Sequence, residues 1–297
     1  MRSVLAVNLT LLLIAAIWGF GFVPQREGMN SLGPSAFNAL RFALGALTLL
    51  PVMLWSKQVS FDHVFNMQTL RLGLIVGLIL FGGASMQQLA IKYTSLANVA
   101  FISGLYVIMV PMIGFFIGYR YAAIVWLGGV VAIVGLYLMT GSNGEISLQG
   151  DILALLGAVF WAIHLLVLAL YAGRHNQLSL AFIQFLVCAI FSLVTAVILE
   201  GQLLPGNSAD YFWILLNGIV VVGLGYTLQV VVMQYAEPFT ASLILSLEGV
   251  FGAVAGYFVY QEQLGAAALV GAAMMMLGCL LAQLPGTQST VEQRLSN

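Results

Sequence analysis

The chain has 297 residues, of which 62% are hydrophobic and 6% are charged, and its formal net charge is −1. Soluble domains carry about 25% charged residues, so this composition excludes a water-soluble globular protein. The net charge itself says nothing about acidic or basic partners, because in a membrane protein the positions of the charges matter, and no nucleic-acid partner is expected.

Ten apolar runs follow one another along the chain, and each is bounded by charged residues, Pro or small polar residues. About 20 apolar residues cross the ~30 Å hydrocarbon core of a bilayer as a helix. The sequence therefore predicts an all-α integral membrane protein. Its spans, numbered one to ten, are residues 4–24, 34–55, 70–91, 96–118, 121–140, 150–171, 178–199, 211–234, 238–260 and 265–284.

The two ends of the chain need separate interpretations. Span one follows a single Arg, as in a signal peptide, but it passes into Trp18 without a small-residue cleavage site. It is therefore interpreted as a retained span. The polar residues 286–297 are expected to form a flexible cytoplasmic tail.

The distribution of Lys and Arg predicts the orientation, because cytoplasmic loops carry an excess of both. With the N-terminus inside, the outer side has only Arg26 and Lys92, and Arg41 lies within span two. The inner side then has Arg2, Lys57, Arg71, Arg120, Arg174 and Arg294. Both termini are therefore predicted to be cytoplasmic, in a multi-pass protein of the cell inner membrane.

A weak internal repeat links the two halves of the sequence. A shift of 143 residues superposes Trp18 on Trp161, and a shift of 142 superposes Gln87 on Gln229 and Tyr106 on Glu248. A repeat of five spans is odd-numbered, so its second copy must insert upside down, as in many secondary transporters. The sequence thus predicts two inverted five-helix repeats, residues 1–143 and 144–285.

Two charged residues lie deep within predicted spans, Arg41 in span two and Glu248 in span nine. A charged side chain at the bilayer centre costs about 2.5–3.5 kcal/mol on insertion scales, so it needs a partner, a proton or a water-filled cavity. Two interpretations stay open. The residues either line a central cavity, with Glu248 binding a cation or a proton, or form an internal ion pair that joins two helices.

Aromatic and amide side chains are the other candidates for the cavity. Trp18 and Trp161 are either stacking surfaces at its opposite mouths or members of the interfacial aromatic belts. The amide and hydroxyl groups of spans three and eight either bind a polar solute or form interhelical hydrogen bonds. The complete candidate set for substrate binding is Trp18, Arg41, Gln87, Tyr106, Trp161, Tyr226, Gln229 and Glu248.

Other reactive side chains carry weaker signals. His164 in span six is interpreted as a hydrogen-bonded contact between helices, with a proton-relay role as the alternative. Cys188 and Cys279 lie within apolar runs and are expected in the core. His63 and His175 fall in loops, and no metal-binding motif occurs, so neither a metal nor a cofactor is expected.

Glycines four residues apart, in the pattern GxxxG, occur at Gly73/Gly77, Gly114/Gly118 and Gly252/Gly256. In membrane helices this spacing permits close approach of two backbones. The last two pairs are repeat mates, so spans four and nine are predicted to pack tightly, either against each other or against other helices.

Several short motifs resemble the EamA-type members of the drug/metabolite transporter superfamily. They are Trp18-Gly19, Leu40-Arg41-Phe42, residues 101–107 with Pro111, residues 247–251 and Gln261-Glu262. Gly249 stands where the family tends to have Pro, and Arg120 where the first half often has Glu. The resemblance spans the chain except its tail, and it implies a polytopic inner-membrane carrier of small metabolites, often an exporter.

The resulting hypothesis is a secondary transporter that works by alternating access, without enzymatic activity, and exports amino acids or related amphipathic solutes. An uptake carrier for a small cationic or zwitterionic solute is the alternative, followed by an intramembrane enzyme, which would need clustered acids or histidines. A pore would need a continuous polar lining, which the spans lack. The expected partners are a small-molecule substrate and the bilayer. Proton coupling and the choice between monomer and homodimer stay open.

Overall fold

The structure is a computed structural model that describes residues 3–55, 66–94, 96–140, 147–261, 265–282 and 284. Within these residues every regular element is a helix. The uninterrupted spans are Val4–Glu27, Pro34–Trp55, Met67–Tyr93, Ala123–Thr140, Leu148–Tyr171, Gln177–Leu199 and Ala266–Ala282, for spans one, two, three, five, six, seven and ten. The predicted repeat boundary at residue 143, the tail, Lys57, His63 and Glu262 lie outside the described residues.

Three spans change their helical geometry part-way. Span four consists of Leu96–Gly104 and Tyr106–Phe116, and span nine of Pro238–Leu245 and Glu248–Tyr260. Span eight begins as the helix Ser208–Leu216, continues as the π-helix Asn217–Tyr226 and ends as Thr227–Met233. A short 3-10 turn, Ala172–Arg174, follows span six.

The helices have the length and composition of membrane spans. Eight of those described are long and apolar enough to cross a bilayer, and Ala123–Leu138 and Ala266–Ala282 are two shorter apolar helices. Large apolar side chains such as Leu199 and Phe258 are more than 70% exposed on the outer surface. Such an apolar surface is stable against lipid rather than water, as predicted for an all-α membrane protein with ten spans.

The contacts between spans repeat in the two halves, which confirms the predicted inverted repeat. In the repeat, span one corresponds to span six, span three to span eight and span four to span nine. Spans three and four both pack on span six, and their mates, spans eight and nine, both pack on span one. Spans two and seven contact each other, as do spans five and ten, so each of these pairs joins repeat mates. The rings of Phe42 and Phe185, equivalent residues of spans two and seven, are 6.3 Å apart. An approximate two-fold axis therefore relates the halves.

Spans five and ten cross at glycines that the repeat also relates. A Cβ atom on Gly128 would lie 2.8 Å from the carbonyl oxygen of Gly278, and one on Gly278 would lie 2.5 Å from that of Gly128. Gly135 meets the backbone of Gly271 in the same way. Only residues without a side chain permit this backbone contact, so the crossing depends on Gly128, Gly135 and Gly278.

The breaks in spans four and nine occur at equivalent residues, Leu105 and Leu247. Their amides bond to the carbonyls of Ile102 and Ile244, three residues earlier, so each helix tightens for one turn. Span nine breaks although Gly249 replaces the proline of the family pattern. The hydroxyls of Ser242 and Ser246 bond to backbone carbonyls within the same segment, an interaction that bends helices.

The predicted GxxxG contacts are found only in part. Gly73 and Gly77 lie against Ile183 and Val187 of span seven. Gly252 approaches Phe22 and the backbone of span one, as the prediction allowed.

The interpretation of Gly114/Gly118 as a helix contact is wrong. Gly118 has φ +101° and lies beyond the end of the helix at Phe116. Gly114 faces Tyr119 and Tyr121 of the chain that follows the helix.

The two repeats begin their second spans differently. Span seven is capped by its own Asn176, whose side chain accepts from the amide of Ser179. The equivalent residue before span two is Gly33, which has no side chain to accept. Glu200 replaces it from the end of span seven and accepts from the amides of Ser35 and Ala36 at 2.8 and 2.9 Å. A carboxylate at a helix N-terminus is favourable both as a cap and toward the helix dipole.

Candidate functional site

One cavity in the described part of the chain brings most of the candidate residues together. It contains about 520 Å³ of empty space, part of which opens to the surroundings, and residues of both repeats line it. Seven of the eight predicted residues line it: Trp18, Gln87, Tyr106, Trp161, Tyr226, Gln229 and Glu248. A pocket at a repeat interface is where transporters of inverted-repeat architecture bind their substrates.

Aromatic rings form one wall of the cavity. Tyr226 lies between the two tryptophans, with its ring centroid 4.8 Å from that of Trp18 and 6.1 Å from that of Trp161. A Cβ atom on Gly225 would lie 2.9 Å from Nε1 of Trp18, and one on Gly83 would lie 3.2 Å from the Trp161 ring. Gly83 and Gly225 are repeat mates, so each indole rests on a glycine of the opposite half.

The hydrogen bonds of the two tryptophans differ. Trp161 donates from Nε1 to Oε1 of Gln87 at 2.9 Å. By the repeat, Trp18 should donate to Gln229, yet among the described residues Nε1 of Trp18 and Oε1 of Gln229 are both buried without a partner. A buried polar atom without a partner costs about 1–3 kcal/mol, so these two atoms are available to a bound solute or water.

Glu248 opens the second helical segment of span nine and reaches the cavity half-buried. A carboxylate at the first position of a helix is stabilised by the helix dipole. Within the described residues it makes neither a hydrogen bond nor an ion pair. Its repeat mate Tyr106 is 4% exposed, and the Tyr106 hydroxyl has no partner in the same part of the structure.

Arg41 is the one candidate that the structure places elsewhere. It is 2% exposed and donates to Oδ1 of Asn38 at 2.8 Å and to Oδ1 of Asn217 at 3.2 Å. Its guanidinium also lies over the ring of Phe42, 4.9 Å from the centroid. Among the described residues Arg41 therefore forms no ion pair with Glu248, and the interpretation of the two as an internal ion pair is wrong. Asn217, the first residue of the π-helix in span eight, faces span two, so amide oxygens rather than a carboxylate receive the guanidinium.

The remaining polar candidates join helices. His164 is fully buried, and its Nε2 lies 3.1 Å from Oε1 of Gln184, so it links spans six and seven. Gln88 donates to the backbone carbonyl of Gln25 and to the sulfur of Met29. His175 in the loop lies 3.1 Å from the hydroxyl of Thr69. No cluster of potential metal ligands occurs among the described residues.

Five further residues line the cavity without having been predicted. They are Phe22, Gln25, Leu165, Val221 and Leu245. Helical spacing could have predicted three of them. Phe22 and Gln25 lie one and two turns beyond Trp18, and Leu165 lies one turn beyond Trp161, so each shares a helix face with a predicted residue. Val221 is part of the π-helix, where ordinary helical spacing does not apply.

Comparison with known proteins assigns the family. The model of the EamA-like transporter family matches the chain twice, over residues 5–141 and 148–284. The chain belongs to this family. Its two matches follow one another along the sequence, as expected for a chain built from two repeats of one unit.

Relatives of the chain carry the same description. An uncharacterized transporter of Archaeoglobus fulgidus is 29% identical over 94% of this chain and 86% of its own length. The uncharacterized transporter YoaV of Bacillus subtilis is 21% identical over 93% of this chain and 96% of its own. A solved structure, described only as the crystal structure of a protein, superposes with a TM-score of 0.81 at 18% identity. It covers 95% of this chain and 98% of its own, and it supports the fold alone.

Proposed function

We propose that this membrane transporter moves small amphipathic metabolites by alternating access and exports them from the cell. The observation that supports the proposal is the shared cavity, which is lined by residues from equivalent positions of both repeats. Inverted repeats around one site allow the same contacts to be exchanged between an inward-open and an outward-open arrangement.

The breaks beside the cavity supply the hinges for this mechanism. Leu105 and Leu247 each end one helical segment directly before a residue that lines the cavity, Tyr106 and Glu248. The segments on either side of a break can tilt separately, because only one turn of helix joins them. Tilting in span four and in span nine would then open opposite sides of the membrane.

Export is the proposed direction, uptake its alternative, and the protein is proposed to act without catalysing a reaction. A transport assay in proteoliposomes tests these proposals, with vesicles loaded with amino acids or amines and assayed with and without a pH gradient. Saturable flux is expected from a carrier, and the gradient reports proton coupling. Phe116→Ala, which alters a residue that is 84% exposed on the lipid-facing surface, serves as the matched control. Flux that rises linearly with concentration would indicate a pore instead.

The proposed orientation places both termini in the cytoplasm of a cell with an inner membrane. It rests on the excess of Lys and Arg on one side. A reporter fused to the C-terminus is expected to be active only as a cytoplasmic enzyme. Activity that appears only in the periplasm contradicts this orientation.

A further inference from the structure

The electrostatics of the cavity are one-sided. Glu248 is the one charged side chain among the residues that line it, and no Lys, Arg or His of the described chain contributes to the lining. Arg41, the other charged residue predicted deep within a span, donates to Asn38 and Asn217 and does not line the cavity. Removing an ionised carboxylate from water is costly unless a proton or a counter-charge accompanies it, so a cation rather than an anion is the solute charge that this site accommodates.

The surfaces around Glu248 also suit an organic cation. Trp18 and Trp161 are half-buried and present ring surface to the cavity. The faces of indole rings attract ammonium groups, by about 0.5–2 kcal/mol depending on desolvation. Oε1 of Gln229 and the hydroxyl of Tyr106 are buried and without a partner among the described residues, and both oxygens can accept from an ammonium N–H.

We infer that the cavity recognises an organic amine without a carboxylate, with its ammonium paired to Glu248 and its apolar part against Trp18 and Trp161. This inference rests on the proposed transport function and names the substrate class. An amino acid with the same side chain is a poorer ligand. Its carboxylate would enter a cavity that already holds Glu248 and that offers no cationic side chain to receive it.

A matched pair of solutes tests the inference directly. Phenethylamine and phenylalanine differ by one carboxylate, and their binding to the purified protein in detergent is measured by calorimetric titration at neutral pH. We expect the amine to bind at least tenfold more tightly than the amino acid. The same order is expected for their saturable flux in proteoliposomes.

Variants at residue 248 identify the group responsible. Glu248→Gln is expected to reduce amine affinity by tenfold or more and to remove the preference for the amine, whereas Glu248→Asp keeps the charge and should retain the preference. Phe116→Ala should behave as the unaltered protein. If Glu248→Gln folds poorly, the comparison of Glu248→Asp with the unaltered protein in the two-solute assay still tests the preference.

The outcomes separate this inference from the proposed function. Equal or tighter binding of phenylalanine overturns the inference while leaving transport intact, and so does an amine preference that persists in Glu248→Gln. Preferential amine binding without flux of any solute supports the inference and contradicts the transport proposal. Failure of the unaltered protein to bind phenethylamine overturns the inference as well.

Discussion

In both repeats a tryptophan indole lies on a glycine, but only one of the two indoles forms a hydrogen bond within the described residues. In one copy the indole of Trp161 lies on Gly83 and donates to Gln87. In the other copy Trp18 lies on Gly225, yet its indole nitrogen has no partner among the described residues. The difference shows that an inverted repeat can supply two equivalent surfaces that differ in their hydrogen bonds.

A change in helix geometry accounts for this asymmetry. Span three is an α-helix through Gln87, whereas its mate, span eight, is a π-helix from Asn217 to Tyr226, which ends three residues before Gln229. Hydrogen bonds in a π-helix join residues five apart, so residues beyond it are rotated relative to an α-helix. That rotation changes the direction in which Gln229 approaches Trp18.

The polar contacts of spans two and seven differ in the same manner. Arg41 corresponds in the repeat to Gln184. Arg41 uses its charge to bind Asn38 and Asn217, whereas Gln184 forms one neutral contact with His164. Equivalent positions therefore join different helices, Arg41 toward span eight and Gln184 toward span six.

The largest effect on stability is expected at Arg41. Arg41→Gln should lower the free energy of unfolding by about 2–4 kcal/mol, because two buried amide oxygens lose a charged donor. The measurement is thermal unfolding in detergent together with folded yield. Since Arg41 and Glu248 share no contact, adding Glu248→Gln to Arg41→Gln should leave the stability cost of Arg41→Gln unchanged. Recovery of yield in the double variant would show that the two residues are a pair after all.

Glu248 should affect flux rather than folding. Glu248→Gln is expected to reduce transport roughly 10- to 100-fold, the value of one hydrogen-bonded charge, with normal folded yield. Tyr106→Phe, at the equivalent position, removes a neutral hydroxyl and should reduce flux by about tenfold at most. Initial rates in proteoliposomes measure both. Unchanged flux in Glu248→Gln would remove the carboxylate from the mechanism.

The two tryptophans should separate stability from binding. Trp161→Phe leaves Gln87 without its donor and should cost about 1 kcal/mol in unfolding free energy. Trp18→Phe breaks no hydrogen bond of the described structure, so it should leave stability unchanged and raise KM. Replacing either residue with Ala removes the ring and should impair transport by folded protein. Equal destabilisation by the two Phe variants would contradict the asymmetry described above.

The smallest effect is expected at the start of span two. Glu200 caps span two, as Asn176 caps span seven in the other repeat. Glu200→Ala removes the cap of span two and should lower the free energy of unfolding by about 1 kcal/mol. Gly33→Asn introduced into Glu200→Ala should recover part of that cost, because it restores the cap of the other repeat. Alone, Gly33→Asn should destabilise, since its Cβ atom would clash with the carboxyl group of Glu200. Thermal unfolding of the three variants distinguishes these outcomes.

The sequence by itself determined the ten spans, the five-span repeat and most of the cavity lining. The length of an apolar run identifies a membrane span, because the hydrocarbon core accepts few charged side chains. A polar residue within a span requires a specific environment, and this is why such residues could be predicted to line a cavity. The shift of 142 residues also placed Tyr106 opposite Glu248, directly after the two helix breaks. These properties are local, or they repeat along the chain, so they are visible without coordinates.

Only the tertiary structure decided which polar groups meet. The partners of Arg41 depend on the π-helix of span eight, and no residue pattern in that span predicted it. Nε1 of Trp18 and Oε1 of Gln229 have no hydrogen-bond partner among the described residues, and this depends on how spans one and eight are rotated against each other. Hydrogen bonds require distances within a few tenths of an ångström and defined angles, whereas hydrophobic patterns fix only which face of a helix is buried.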